Sequence, residues 1–216
     1  MNQETIKLFD NIIEQMALVY KHDSRPWMIG FSGGKDSTLL CQLTFEMLER
    51  LSPEERNKKV YIVTSDTMVE NPIVQNYMHR MKDAINQASL QKMLGVEAHI
   101  IYPAVKNRFW SAVIGLGYPT PEAPGFRWCT ERLKIIPSND FTYDVIKKDG
   151  EIVILLGVRK AESITRSRSI TSREIEGKIL TPHDTIKKAY VYSPLSEIKN
   201  EYGYSVLTKA DEKSNS

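Results

Sequence analysis

Ser32-Gly33-Gly34-Lys35-Asp36-Ser37 stands between an apolar run, Trp27-Met28-Ile29-Gly30-Phe31, and a run of helical spacing that begins near Ser37. These six residues decide how the chain is read. Two adjacent glycines let backbone N–H groups turn inward with no Cβ in the way. A helix that starts directly behind them adds unpaired N–H donors and a partial positive charge. Strand, glycine loop and helix form one unit whose loop suits a polyanion. The spacing is neither the G-x-x-x-x-G-K-[ST] of a Walker loop nor the G-x-G-x-x-G of a dinucleotide fold.

Outward from this unit, strands and helices alternate. Ile6, Phe9, Ile13, Met16 and Tyr20, with Ile12 and Val19 beside them, predict an amphipathic helix over residues 3–21. Pro26 ends that region before the first strand. Leu39, Leu40, Leu43, Met47 and Leu51 mark the helix after the loop. Val60 to Val63 is a second strand, and Asn71-Pro72 opens a helix carrying Val74, Tyr77, Met78, Met81 and Ile85. Val96 to Tyr102 is a third strand. Residues 105–114 read as helical, and Gly115 to Gly125 as a loop dense in turn formers. Phe141, Val145 and Ile146 suggest a helix that ends at Asp149-Gly150. Glu151 to Leu156 is the strongest strand signal, residues 165–187 show no clear period, and Ala189 to Tyr192 is a candidate fifth strand.

This alternation predicts an α/β fold: a doubly wound, mainly parallel sheet of about five strands with helices on both faces. Ligands then bind beyond the strand carboxyl ends. The loops after Phe31, Val63, Tyr102 and Leu156 are therefore expected to meet in one site. We expect one domain over residues 1–200 and a polar tail over 201–216.

Composition sets the frame. Hydrophobic residues at 41% and charged residues at 26% fit a globular domain, and a net charge of +2 argues neither for nor against nucleic acid. Cys41 and Cys129 are too few for a disulfide framework, and the four histidines, His22, His79, His99 and His183, lack zinc spacing with either. No run approaches the ~18 apolar residues of a membrane span. A cytoplasmic protein without a membrane partner is expected.

S-G-G-K-D-S after a first parallel strand resembles the pyrophosphate loop of the ATP pyrophosphatases, which include PAPS reductases, GMP synthetase and tRNA thiolation enzymes. The fold this implies is adenine nucleotide alpha hydrolase-like. Four further features narrow the resemblance: Pro26-Trp27, Asp66-Thr67 with Val69-Glu70-Asn71-Pro72, Phe126 to Lys134 around Arg127-Trp128-Cys129, and Gly157-Val158-Arg159-Lys160-Ala161-Glu162-Ser163. Over roughly residues 25–195 the chain looks like the DndC-type sulfurtransferase of DNA phosphorothioation, which replaces a non-bridging oxygen of the DNA backbone with sulfur.

The resemblance implies ATP and Mg²⁺ as cofactors. It implies DNA, contacted through its backbone, as a partner, together with a cysteine desulfurase or other sulfur donor and further phosphorothioation proteins. A homo-oligomer is compatible with it. Ser32, Gly33, Gly34, Lys35, Asp36 and Ser37 would grip the β- and γ-phosphates, with Lys35 offsetting charge on released pyrophosphate. Asp36 would orient the loop or help hold Mg²⁺. Asp66 would bind the adenosine or else cap a turn. Lys35, Asp36, Ser37 and Arg159 are the candidate catalytic residues. Arg127, Arg132, Lys134, Arg159, Arg166 and Cys129 are the candidates for substrate phosphate and sulfur. Cationic neighbours would favour the Cys129 thiolate, and Cys41 reads as core.

In the family the Arg-Trp-Cys cysteine joins three others around an iron–sulfur cluster. Such clusters need about four thiolates, so the two cysteines here would require help from another chain. Ile198 to Ser216 departs from the family pattern, as expected of a shortened or split relative. A sulfonucleotide reductase-like enzyme and a non-catalytic nucleotide- or DNA-binding subunit stay open as alternatives.

Overall fold

A computed structural model describes residues 3–120, 127–159 and 178–198. Arg166, Lys160 to Ser163, Phe126, the 121–125 part of the turn-rich loop, the expected boundary at residue 200 and the polar tail lie outside these residues.

The first strand, β1 (Trp27–Gly30), is apolar on both sides because it is covered on both sides. Trp27 and Ile29 face one cluster and Met28 the other. The same alternation runs through β2 (Val60–Ser65), where Val60 and Ile62 oppose Tyr61 and Val63. It continues in β4 (Ile152–Leu155), where Val153 and Leu155 oppose Ile152 and Ile154. With β3 (Val96–Ile101), β5 (Thr181–Pro182) and β6 (Ala189–Tyr192) these make a six-stranded sheet in the order β3-β2-β1-β4-β6-β5. Every pairing is parallel except that of β5 with β6.

One face is covered by α1 (Gln3–Lys21), α2 (Lys35–Arg50) and the inner side of α3 (Pro72–Lys92), through residues such as Phe9, Met16, Leu40, Met47 and Ile85. The other is covered by α5 (Ile136–Asp149), through Val145 and Phe141. The strand order reverses at β1: the chain moves out to β2 and β3, then returns past β1 to β4. A crevice is expected at such a reversal, between the loops that leave β1 and β4.

The fold differs from the sequence reading in particulars. Ile6 lies on the solvent side of α1, 41% exposed. The expected helix over 105–114 is two short pieces, a 3₁₀ turn (Val105–Asn107) and a π-helical turn (Ser111–Gly115), separated by extended backbone at Arg108. Asn107 is buried and its side chain accepts from Arg132, which pulls the segment away from regular helix. A short helix, α4 (Trp128–Thr130), and a second π-helical turn (Glu131–Ile135) run directly into α5, with Pro137 in its first turn where the missing N–H is harmless. The edge strand β5 carries Pro182 and was invisible to periodicity.

At the amino-terminal ends of the strands, just ahead of β2, Lys58 is buried. Its ammonium meets Asp23 Oδ1 at 3.1 Å and lies over the Tyr20 ring, 4.5 Å from its centroid. Burial holds the Lys58 pKa below its ordinary value, against the opposing pull of Asp23. Burial would raise the Asp23 carboxyl, but hydrogen bonds from Arg25 and the charge of Lys58 outweigh it and hold the pKa low. A depressed carboxyl stabilises the fold above its unfolded pKa of about 3.9, and that contribution is lost as pH falls through the folded value. Asp23→Ala leaves Lys58 without its counter-charge. Urea denaturation at pH 7 is expected to show a loss of about 3–5 kcal/mol, largely restored by adding Lys58→Met. An unchanged midpoint for Asp23→Ala would remove the pair from the account of stability.

Candidate functional site

The loop after β1 is held in shape by its own serines. The Ser32 N–H donates to Ser37 Oγ at 3.3 Å, and the two hydroxyl oxygens lie 3.2 Å apart. Ser37 Oγ donates to the Gly34 carbonyl at 2.9 Å, and Thr38 Oγ1 donates to the same oxygen at 2.9 Å. Gly33 has φ +71°, so the turn depends on glycine. Gly34 is the N-cap of α2, and a glycine has no side chain of its own to cap it. The first N–H groups of a helix have no intrahelical acceptor. An anion can act as the cap in such a place. Lys35 and Asp36 open the helix, both partly exposed, and Ser37 is buried.

The segment after β4 closes against this loop. Gly157 lies so near α2 that a Cβ there would stand 3.0 Å from the Asp36 carbonyl oxygen and 3.4 Å from the Ser37 nitrogen. Two residues on, Arg159 is fully buried. Its Nε lies 2.8 Å from Asp36 Oδ1, and its Nη2 donates to Oδ2 at 3.2 Å. Sequence reasoning brought Arg159 and Asp36 to one edge but gave them separate tasks. The structure joins them, and of the two roles left open for Asp36 the geometry matches orientation of the loop.

Metal binding fits the site poorly. Both Asp36 oxygens face a guanidinium. Among the described residues no group of three or more His, Cys, Asp and Glu side chains stands together to hold an ion. A Mg²⁺ ion that arrives with a nucleotide keeps mostly phosphate and water ligands.

Asp66, at the end of β2, is buried. Its Oδ1 accepts from the Met68 N–H at 2.7 Å and from Gln75 Nε2 at 3.4 Å, so it caps the turn in which Met68 takes φ +63°. It stands on the same carboxyl edge as the phosphate loop, and its backbone N–H bonds Ile101 of β3. Glu70, two residues beyond that turn, accepts from Thr67 Oγ1 at 3.1 Å and lies 3.8 Å from Lys134 Nζ.

Lys134 therefore brings the Arg-Trp-Cys segment to the loop after β2. Trp128 is buried, stacks on Phe109 and donates its indole N–H to the Pro119 carbonyl at 2.9 Å. Arg132 was grouped with the substrate phosphate, but its guanidinium is taken up by Tyr118 Oη at 2.8 Å and Asn107 Oδ1 at 3.2 Å. It braces the loop on which it sits. Arg127 is exposed and Cys129 partly buried. Cys41 is in the core, where burial pushes its thiol up to about 12. The chain's two thiols thus serve different environments, and they do not make an iron–sulfur site.

Three site features had no expectation attached. Gly157 looked like a strand end, although a glycine directly after the strongest strand is the usual mark of a close backbone approach. Gln75 and Tyr77 of α3 reach the two loops, Gln75 at Asp66 and Tyr77 at Gly33. Helical periodicity marked Tyr77 only as apolar. A cavity of about 640 Å³ between α1 and β6, lined by Leu8, Ile12, Tyr192 and Pro194 among others, includes none of the site residues.

No family model matches the chain. An uncharacterized protein of Methanocaldococcus jannaschii is 28% identical over 160 residues, 73% of this chain but only 28% of that protein, so the chain spans little more than a quarter of its relative. Three solved structures are similar. PAPS reductase from Candida auris, in a phosphate complex, has TM-score 0.52 at 12% identity and covers 98% of this chain and 88% of that one. The U34-tRNA thiolase NcsA from Methanococcus maripaludis, with its [4Fe-4S] cluster, has TM-score 0.54 at 18% identity, covering 96% and 63%. NAD⁺ synthetase from Burkholderia pseudomallei has TM-score 0.52 at 12% identity, covering 95% and 73%. At these identities the likeness is one of fold: the chain has the adenine nucleotide alpha hydrolase-like architecture.

Proposed function

We propose that the chain is an ATP pyrophosphatase module that activates a DNA backbone phosphate for oxygen-to-sulfur exchange. The observation that carries this reading is the start of α2 directly behind a glycine turn, at the strand-order reversal. Ser32, Gly34 and Ser37 are hydrogen-bonded to one another there, and Lys35 is the first residue of the helix. The DNA specificity rests on the four sequence features shared with phosphorothioation sulfurtransferases.

A non-bridging oxygen of the DNA phosphate attacks the α-phosphorus of ATP. The bond from that phosphorus to the β-phosphate oxygen breaks, and pyrophosphate leaves into the Ser32–Ser37 loop. The DNA phosphate then carries AMP on one oxygen, and hydrosulfide already released by the donor protein attacks the DNA phosphorus, forming the P–S bond as AMP departs with that oxygen. The protein's work in the first step is to hold the polyphosphate and stabilise charge as the bond breaks. Lys35 and the α2 donors do this. Asp36 and Arg159 fix the helix start, and Asp66 stands where the adenosine is expected. Arg127, Lys134 and Cys129 belong to the substrate side of the site.

Pyrophosphate release tests the reading. Protein supplied with ATP, Mg²⁺, DNA and the sulfur-donor and partner proteins is expected to release pyrophosphate, and Ser37→Ala, which removes the hydroxyl that joins the Ser32 N–H to the Gly34 carbonyl, to slow release roughly tenfold as the loop loses its shape. Absence of release from the wild-type mixture would sink the proposal. Gly157→Ala provides an independent check. The new methyl meets backbone of α2, which cannot swing aside as a flexible side chain can, so the crevice must widen. Release is expected to fall at least tenfold with a stability loss of about 1–3 kcal/mol. Full activity would show that the crevice width is unimportant.

A further inference from the structure

Tyr77 lies on the second turn of α3, where helical spacing gives it no core role, and it is 37% exposed. Its ring nevertheless packs on the phosphate loop. A Cβ built on Gly33 would stand 3.0 Å from Tyr77 Cε1 and 3.7 Å from Cδ1. The nearer atom is bonded to the ring carbon that carries the hydroxyl, so the polar end of the side chain leans toward the turn. Among the described residues that hydroxyl has no hydrogen-bond partner. The ring thus covers the one loop position whose φ of +71° demands glycine, and places an O–H donor beside it.

The same helix contacts the other half of the site. Gln75 donates to Asp66, and the helix start is fixed by Asn71, whose side chain accepts from the Ile73 N–H at 2.8 Å. Pro72 follows directly as the first helical residue. Tyr77 is therefore carried on a helix whose beginning is anchored to the loop after β2. Its position over Gly33 is set by that anchoring.

We propose that Tyr77 is a polyphosphate ligand of this site. Its ring buttresses Gly33 from the α3 side, and its hydroxyl donates a hydrogen bond to a phosphate oxygen held by the Ser32–Ser37 loop. The proposal rests on the reading of that loop as a polyphosphate site and adds a donor from outside the motif. A phenol suits the task. It is neutral at working pH, it donates to an ionised oxygen, and its rigid ring loses little freedom on binding.

Calorimetric titration of the whole chain with inorganic pyrophosphate tests it, with wild type, Tyr77→Phe, Tyr77→Ala and Ser37→Ala compared at equal thermal stability. Loss of one hydrogen bond to a charged group corresponds to roughly a tenfold weaker Kd. Tyr77→Phe keeps the ring, so a tenfold loss in that variant belongs to the hydroxyl. Tyr77→Ala is expected to lose at least as much. Wild-type affinity in Tyr77→Phe, with Ser37→Ala weakened, would overturn the proposal and leave the ATP pyrophosphatase reading intact. Loss in Tyr77→Ala alone would reduce Tyr77 to a support for the loop and overturn the hydroxyl's role. No pyrophosphate binding by wild type would overturn both this proposal and the reading beneath it.

Discussion

Asp36 and Arg159 form the contact on which the geometry of the site depends. β1 and β4 are neighbours in the sheet, and the described residues that follow β4 meet the start of α2. The ion pair joins the two segments, and the close approach of Gly157 to the Asp36 carbonyl sets their separation. A fully buried guanidinium is expensive to desolvate, and a buried pair often stabilises a fold less than apolar residues of the same volume would. One hydrogen bond, from Nη2 to Oδ2, beside the close charge contact of Nε with Oδ1 gives hold between the two segments instead. We read the pair as holding the start of α2 in place, with stability a lesser consequence.

That pairing also changes the charge available to a phosphate. Asp36 and Arg159 cancel, so the formal cation of the six-residue loop is Lys35, supported by the fractional positive end of a sixteen-residue helix. On the proposed reading this balance suits a leaving group. A site crowded with cations would grip ATP and pyrophosphate alike and gain little rate, because only interactions that strengthen in the transition state accelerate the step. N–H donors and one lysine would instead respond to charge that develops as the bond to the α-phosphorus breaks.

The fold was legible wherever burial acts on every residue of a segment. β1, β2 and β4 are short and apolar throughout because each side of each strand meets a different helical layer, and Asn71-Pro72 marks a helix start through local chemistry. The tight turn between β1 and α2 was legible because Gly33, at φ +71°, answers to backbone geometry. What was missed depends on partners distant in sequence. Arg132 looks like a phosphate-binding arginine until Tyr118 and Asn107 are placed beside it, and Tyr77 looks like an ordinary helix position until Gly33 is beneath it. The segment 105–115 shows the limit from the other side. Its spacing is helical, yet the demand of buried Asn107 for the Arg132 contact breaks the helix.

The two halves of the site rest on different kinds of support. The two segments that meet at the start of α2 are tied to the sheet itself, the loop after β1 through the N–H of Phe31 to the Val63 carbonyl and the segment after β4 through that of Leu156 to the Tyr192 carbonyl. Such backbone bonds survive changes of side chain. The Cys129 segment is held by particular side chains: the Trp128 indole, the Arg132 guanidinium and the long contact between Lys134 and Glu70. Each of these can be replaced without disturbing a strand. A fold arranged in this way can keep one loop while another varies, which is how one architecture comes to host different chemistries. On the proposed reading, the identity of the phosphate acceptor is therefore to be sought in residues 105–120 and 127–136, where the described braces are side chains, and the activation step in the backbone-held loop that begins at Ser32.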